Sequence, residues 1–245
     1  MPLETIAAAA LILACTYLIF GLTGFGSTVI ALPILAQFIP LKLVVPLLLL
    51  LDLAAGVAVS ARARRGIRLG EIGTMAPFML IGIALGATLL LEIPEAPLLA
   101  VLGIFLIAYA TYGIARRAGP PSLSRAWSAP FGLAGGMLSA LFGTGAVLIA
   151  LYIGARVRDK DELRATTAAT VLLNGCIRVV LYGAMGLLTQ EGLLKSALLL
   201  PSVFVGLFFG ARLHSMVPVG LVVRAVYAVV AIAGAALLLR VFALR

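Results

Sequence analysis

The most unusual residue of the chain is Arg178, which lies well inside the apolar segment 166–188. A charged side chain at that depth costs a few kcal/mol or more, so it should face a cavity or a partner. A guanidinium suits oxyanions because it offers several fixed donors and cannot lose its charge. We therefore predict that Arg178 binds an anion, with a structural ion pair or a snorkelling arginine as the alternative.

Polar residues accompany Arg178 at helical spacing. Asn174 lies one turn before it and Tyr182 one turn after it, and Thr167 lies two turns before Asn174. These residues share one face of a helix. A stripe of hydroxyl, amide, guanidinium and phenol groups inside a membrane helix predicts the lining of a cavity. The structural alternative for each hydroxyl is a bond to a carbonyl group of its own helix.

A Gly-x-Gly motif, which occurs twice, is the second feature that could take part in binding. The copies are Gly24-Phe25-Gly26, followed by Ser27 and Thr28, and Gly143-Thr144-Gly145, followed by Ala146. Each interrupts an apolar stretch, where glycine makes helix continuity costly and lets other groups approach the backbone. If helices begin at Ser27 and Ala146, their first amide groups and positive dipole ends point into the membrane interior, where they favour an anion.

Together these features define one candidate binding site. Its predicted residues are Gly24, Gly26, Ser27, Thr28, Gly143, Thr144, Gly145, Asn174 and Arg178. Asp52 is the only carboxylate deep inside a predicted span, and it aligns with Asn174 at an offset of 122 residues. It is either a structural partner of Arg178 or a carboxylate that couples proton or cation movement.

The composition places these residues in a membrane. Hydrophobic residues make up 63% of the 245-residue chain and charged residues 11%, and the mean hydropathy is +1.22. Apolar stretches fill almost the whole length, which predicts an all-α polytopic membrane protein. An outer-membrane barrel is excluded because runs such as 44–51 do not alternate between apolar and polar residues. No basic region precedes the first apolar segment, so we expect it to be retained rather than cleaved.

The expected partners are the lipid bilayer and a small anion, without nucleic acid or a cofactor. The net charge is +9, but the basic residues lie in short loops, where they set membrane topology. His214 is the only histidine, which excludes a histidine-rich metal site. Cys15 and Cys176 lie in apolar runs, as small lipid- or helix-facing residues do. We also find no nucleotide-binding phosphate loop.

The elements that position the site occur in the same order in both halves of the chain. Apolar pieces at 5–20 and 27–38 flank the first break, and spans at 41–61, 71–91 and 96–115 follow. The two pieces reach about 24 and 18 Å, short of the hydrocarbon core, which predicts a re-entrant hairpin; two short full spans are the alternative. The second half has pieces at 127–141 and 145–155, then spans at 166–188, 193–211 and 218–240.

An internal repeat supports this division. Pro77-x4-Gly82-x3-Gly86-Ala87 recurs as Pro201-x4-Gly206-x3-Gly210-Ala211, at an offset of 124 residues against 119 between the glycine breaks. We predict a first repeat at 1–118, a linker at 119–126 and a second repeat at 127–245, all within one membrane domain. Small residues four apart let helices pack closely inside a chain or in a homo-oligomer, so the oligomeric state stays open.

The distribution of basic residues predicts the topology. In this arrangement 13 of the 18 Lys and Arg lie on one face and 4 on the other, with Arg178 unassigned. The positive-inside rule places the basic face in the cytoplasm and both termini outside. The fold class we predict is two inverted repeats, each a broken re-entrant helical hairpin plus three transmembrane helices. That architecture is typical of secondary transporters, whose site lies near the midplane between the repeats.

The whole chain resembles the TauE/SafE family of sulfite and organosulfonate exporters. The resemblance lies in Gly24-Phe25-Gly26 with the following apolar run and Pro33, in Gly143-Thr144-Gly145, in both Pro-x4-Gly-x3-Gly-Ala motifs and in the Arg62-Ala63-Arg64-Arg65 loop. It implies a bacterial-type inner-membrane transporter for sulfur-containing anions such as sulfite or sulfoacetate.

The leading hypothesis is thus a secondary transporter that exports a small oxyanion by alternating access. An anion channel or an importer stays open as an alternative because a sequence does not determine direction. A non-transporting membrane scaffold would explain the repeat but not Arg178. An enzyme is not expected, since the two cysteines are not spaced as a redox pair and the histidine stands alone.

Overall fold

The computed structural model describes residues 3–23, 26–60, 66–115, 123–213 and 219–243. These residues form ten α-helices and one 3₁₀ turn, without a strand. The first half contains α1 (Leu3–Thr23), α2 (Ser27–Leu35), α3 (Leu41–Ser60), α4 (Leu69–Glu92) and α5 (Glu95–Ala115). In the second half, the 3₁₀ turn Arg125–Trp127 precedes α6 (Ser128–Phe142), α7 (Ala146–Arg156), α8 (Lys160–Ala184), α9 (Gln190–Leu213) and α10 (Val219–Ala243). The predicted all-α fold is confirmed.

Several helices have the length and composition of membrane spans. Within the described part of the chain these are Glu4–Leu22, Leu69–Glu92, Glu95–Ala115, Ala165–Ala184 and Gln190–Leu213. Large apolar side chains such as Ile104, Val180 and Leu194 are exposed on them, and so are the thiols of Cys15 and Cys176. An exposed surface of this kind suits contact with lipid, which confirms the polytopic membrane class.

The first apolar piece is longer than the sequence predicts. α1 has 21 residues, and Glu4–Leu22 is long enough to cross a membrane, since the helix reaches about 31 Å. The expectation of a piece too short to span is therefore wrong for α1, because the helix continues through Gly21 to Thr23. α2, α6 and α7 are short as expected, with 9, 15 and 11 residues. The re-entrant hairpins stay a prediction.

The chain divides into two compact units. Unit 1 comprises Met1–Leu51, Ile93–Arg117 and Gln190–Arg245, and unit 2 comprises Asp52–Glu92 and Ala118–Thr189. In unit 1, α1 packs along α9, α5 packs along α10, and α2 contacts α1 and α10. In unit 2, α4 packs along α6, and α8 contacts α4 and α7. Each unit draws helices from both predicted repeats, so the repeats at 1–118 and 127–245 are divisions of the sequence and stay a prediction.

In unit 2, the glycines of the repeated motif allow α4 to approach α6. A Cβ added at Gly82 would collide with the carbonyl oxygen of Leu133 on α6. A Cβ added at Gly86 would lie 2.5 Å from the carbonyl oxygen of Met137. Backbone therefore packs directly against backbone, a mode of helix association that small residues permit inside a membrane.

The second copy of the motif does the same in unit 1. Gly206 and Gly210 of α9 meet the carbonyl oxygens of Ala14 and Leu18 on α1, where a Cβ would again collide. Gly206 and Gly210 follow Gly82 and Gly86 by 124 residues. Their contacts Ala14 and Leu18 precede Leu133 and Met137 by 119 residues. These are the two offsets seen in the sequence. The repeated residues thus make equivalent contacts. The inverted relation of the repeats stays a prediction.

Candidate functional site

Three of the four residues of the predicted polar stripe are buried on α8, and Thr167 is partly exposed. Asn174 and Arg178 are 3% and 4% exposed, and Tyr182 is fully buried. α8 is continuous from Lys160 to Ala184, so the spacing of four residues places these side chains on one face. The structure thereby brings together the α8 residues that the sequence assigns to the site.

Arg178 contacts the phenol of Tyr182 one turn later. Its guanidinium carbon lies 5.3 Å from the centroid of the ring, and Nη2 donates to the tyrosine oxygen over 3.4 Å. The hydroxyl of Tyr182 donates in turn to the carbonyl oxygen of Ala140 on α6. The buried Nε of Arg178 has no hydrogen-bond partner. Tyr182 therefore holds one end of the guanidinium and leaves another donor unused.

Asn174 is joined to α6 by Ser139. The serine hydroxyl donates to Oδ1 of Asn174, and the serine carbonyl oxygen accepts the amide of Gly143 at 2.8 Å. One residue thus connects α8 to the glycine break, while Nδ2 of Asn174 is buried without a partner. The sequence reasoning missed Ser139. Its signal was a hydroxyl one helical turn before Gly143, on the helix that ends at the break.

The second glycine break has the predicted form. α6 ends at Phe142, Gly143 takes a left-handed conformation with φ 70°, and α7 begins at Ala146. Residues other than glycine adopt such a φ only with strain. Gly145 has an ordinary helical φ, but a Cβ there would collide with the carbonyl oxygen of Gly135. Both glycines are therefore required, for different reasons.

Thr144 lies between these two glycines and is completely buried. Its hydroxyl has no hydrogen-bond partner. The first amide groups of α7 follow directly. By helix geometry they have no acceptor within the helix, but the amide of Val147 donates to the carbonyl oxygen of Thr144 at 3.1 Å. They also form the positive end of the helix dipole. The start of α7 thus adds partial positive charge to unit 2.

Four buried side-chain atoms in the described part of the chain lack a hydrogen-bond partner, namely Thr144 Oγ1, Thr167 Oγ1, Asn174 Nδ2 and Arg178 Nε. All four belong to unit 2. The two nitrogen atoms can only donate, and each hydroxyl can donate as well. Buried polar groups are normally paired, so the unpaired donors of Asn174 and of the permanently charged Arg178, one turn apart on α8, would suit a ligand that is anionic and rich in acceptors.

The first glycine break is described in part. Gly26 has φ 96°, and α2 begins at Ser27 as predicted. Ser27 and Thr28 are 3% and 5% exposed. Gly24 lies outside the described residues. These residues belong to unit 1 and the α8 stripe to unit 2, so a single site formed by both groups stays a prediction.

Asp52 lies on the part of α3 that belongs to unit 2. It is partly exposed, and it takes part in a noncovalent interaction. The next residue, Leu53, packs so closely on Gly175 of α8 that a Cβ on the glycine would lie 2.6 Å from the leucine side chain. The carboxylate therefore neighbours a residue that contacts the stripe-bearing helix. Its two predicted roles, partner of Arg178 or coupling carboxylate, both stay predictions.

Basic loop residues of unit 2 are engaged in ion pairs. Arg68 bonds Glu162 at 2.8 Å, and Arg156 bonds Glu71 at 3.0 Å. The hydrogen bond and charge of Glu162 raise the pKa of Arg68. The amide of Arg68 donates to the hydroxyl of Thr166 at 3.0 Å, so this threonine connects the loop to α8. Among the described residues, no group of three His, Cys, Asp or Glu side chains could hold a metal ion.

The apolar helices define a multi-pass membrane protein, and its unit 2 contains the four buried polar atoms that lack a partner among the described residues. The sulfite exporter TauE/SafE family matches residues 8–237, and the chain belongs to this family. The chain is also 26% identical over 175 residues to the probable inner membrane transporter protein TsaS of Comamonas testosteroni, covering 70% of this chain and 73% of that protein. No solved structure matches it. The resemblance inferred from the motifs is thus confirmed, and the class is that of a membrane transporter.

Proposed function

We propose that the chain is a secondary transporter that exports small sulfur-containing anions, sulfite or organosulfonates, across the inner membrane. In this proposal Arg178, Asn174 and Thr144 hold the oxygens of the anion. The unpaired buried donors on α8 and beside the second break carry the proposal. A scaffold would have no use for them, since an unpaired buried polar group costs about 1–3 kcal/mol.

Alternating access is the proposed mechanism. It is supported by the equivalent glycine contacts, which occur once in unit 1 and once in unit 2. Repeats of this kind underlie the rocking motions of secondary transporters. Gly24, Gly26, Ser27 and Thr28 are proposed to complete the site, and Asp52 is the proposed carrier of a coupled proton or cation.

We also propose the orientation in which the basic loops lie in the cytoplasm and both termini outside. Its support is the bias of 13 basic residues against 4 across the two faces. Fusion of alkaline phosphatase to the C-terminus should give activity, because this enzyme folds only outside the cytoplasm. A fluorescent C-terminal fusion of a cytoplasmic reporter, with an inactive phosphatase fusion, would contradict the orientation.

The decisive experiment measures anion binding by purified protein and flux in liposomes, with Arg178→Ala and Arg178→Lys. Charged hydrogen bonds contribute about 1.5–3 kcal/mol each, so the alanine variant should bind sulfite or a sulfonate at least about tenfold more weakly. The lysine variant retains the charge but loses Nε and the planar donor array, so an intermediate affinity is expected. Counterflow of labelled anion against excess unlabelled anion separates a carrier from a channel.

Arg158→Ala is the matched control for Arg178→Ala. Arg158 is exposed, just after α7, so its removal changes the net charge by the same amount without touching the buried cluster. Its affinity and flux should equal those of the unchanged protein. Normal binding and normal flux in a well-folded Arg178→Ala protein would overturn the proposed site.

A further inference from the structure

Hydrogen-bond acceptors and donors are used unequally around Arg178. The side-chain oxygens of Asn174 and Tyr182 and the carbonyl oxygen of Ala140 each accept from a protein donor. Ser139 donates to Oδ1 of Asn174, Arg178 Nη2 donates to the oxygen of Tyr182, and Tyr182 donates to the carbonyl of Ala140. The unpaired nitrogens, Asn174 Nδ2 and Arg178 Nε, are both donors. On Asn174 and Arg178 the groups left for a ligand are thus donors, whereas the unpaired hydroxyls of Thr144 and Thr167 can donate or accept.

This imbalance has a consequence for ligands that carry a proton. An unprotonated oxygen accepts from Nδ2 or Nε, whereas a hydroxyl turned toward either nitrogen places two donors opposite each other. Neither donor is then satisfied, which in a buried site weakens binding by about tenfold or more. The hydroxyls of Thr144 and Thr167 rotate and can accept, so the two nitrogens carry the discrimination.

We propose that the cluster selects oxyanions whose oxygens carry no proton. Sulfonates and doubly ionised sulfite meet this condition, whereas bisulfite and monoprotonated phosphonates do not. The selection acts on the ligand's proton rather than on its net charge. This inference rests on the proposed function, because it assumes that the cluster is the anion site.

A test by pH must separate titration of the ligand from titration of the protein. α6, which contacts the stripe, has no titratable residue. On the other helices that pack against α8, α7 carries Tyr152 and Arg156, and α4 carries Glu71 and Glu92. Tyr152 and Arg156 both bond Glu71. Asp52 on α3 is the proposed coupling carboxylate, and the next residue, Leu53, contacts α8. The two ligands are therefore compared with each other at each pH, in the unchanged protein and in Asp52→Asn.

The experiment compares methanesulfonate with methylphosphonate, by calorimetry on purified protein from mildly acidic to mildly alkaline pH. The two probes have the same shape, and in mild acid both carry a single negative charge, but the phosphonate then retains one hydroxyl. Methanesulfonate does not titrate in this range, so any change of its affinity with pH comes from the protein and serves as the reference. Methylphosphonate should bind about tenfold or more weakly in mild acid and gain affinity as its hydroxyl ionises. In Asp52→Asn the gain of methylphosphonate relative to methanesulfonate should persist, because both ligands meet the same protein groups.

A second variant reverses the chemistry of the site. Asn174→Asp retains the acceptor for Ser139 and replaces the Nδ2 donor by an acceptor, so it should weaken methanesulfonate more than the phosphonate monoanion. Equal affinities of the two monoanions, with both lost in Arg178→Ala, would overturn the selectivity and leave the proposed function intact. A relative gain of methylphosphonate that disappears in Asp52→Asn would likewise overturn the selectivity alone. No binding of either probe at any pH, with normal flux in Arg178→Ala, would overturn both.

Discussion

The hydroxyl of Ser139 donates a hydrogen bond to Oδ1 of Asn174, and this bond joins α6 to α8 one turn before the second glycine break. It orients the amide so that Nδ2 is the group left over. The backbone of the same serine accepts the amide of Gly143, where α6 ends. Ser139 therefore acts as a positioning residue. Its hydroxyl is paired, and it fixes the orientation of the Asn174 amide, whose Nδ2 is unpaired.

Replacing Ser139 by alanine should release the Asn174 amide and weaken anion binding. The amide could then rotate, so the affinity for methanesulfonate is expected to fall about tenfold, equivalent to one buried hydrogen bond. Ser196→Ala is the control, because that buried hydroxyl bonds the carbonyl of Gly192 in its own helix at 2.9 Å. Calorimetry and thermal unfolding in detergent measure both quantities. Unchanged affinity in Ser139→Ala would show that the serine does not position the amide.

The sequence predicts much of the site because the relevant signals are local. Arg178 is recognisable from its charge in an apolar run, and Asn174 from its spacing on the same helix. Both glycine breaks also lead into helices at the predicted residues, Ser27 and Ala146. Ser139 was not predictable in the same way, since its role comes from a contact across 35 residues of sequence.

The fold could not be predicted from the sequence where it depends on contacts between helices rather than on the pattern of residues along the chain. The Gly-x3-Gly motifs indicate close helix contacts but do not name the partner helix. In the structure α4 packs on α6 and α9 packs on α1, so each compact unit combines helices from both halves of the chain. The length of α1 was underestimated for a related reason. The predicted piece ends at residue 20, whereas the helix continues to Thr23 and packs Gly21 closely on Gly210 of α9.

Equivalent glycines in the two units should respond alike to alanine. In both Gly82→Ala and Gly206→Ala the new methyl group meets a backbone carbonyl, of Leu133 and of Ala14, which cannot move aside easily. Each change should lower the free energy of unfolding by about 1–3 kcal/mol. Gly73→Ala on α4 is the control, since no atom lies within 4 Å of its added Cβ, and it should be neutral or slightly stabilising. Tolerance at only one of the two motif positions would argue against equivalent packing.

The two glycine breaks should differ in their tolerance of alanine, although their sequences are alike. Gly26 has φ 96° with open space around it, so Gly26→Ala costs only backbone strain of about 1–2 kcal/mol. Gly145→Ala should be more damaging, because its Cβ would collide with the carbonyl of Gly135. Gly135→Ala is the milder control, with its nearest neighbour at 3.4 Å. Yield of monodisperse protein and unfolding temperature measure the order, and a more stable Gly145→Ala than Gly26→Ala would contradict it.

Thr144→Val should separate binding from folding, because the hydroxyl is completely buried and has no partner. Removing an unpaired buried hydroxyl should raise the stability of the ligand-free protein by about 1 kcal/mol, while the affinity for methanesulfonate falls about tenfold. Thr170→Val is the matched control. Its buried hydroxyl bonds the carbonyl of Thr166 at 2.7 Å, so the change should cost a little stability and leave affinity unaltered. A Thr144→Val protein that is more stable but binds normally would place the anion away from the second break. A gain in stability together with a loss of affinity is expected only of a residue that contacts the ligand.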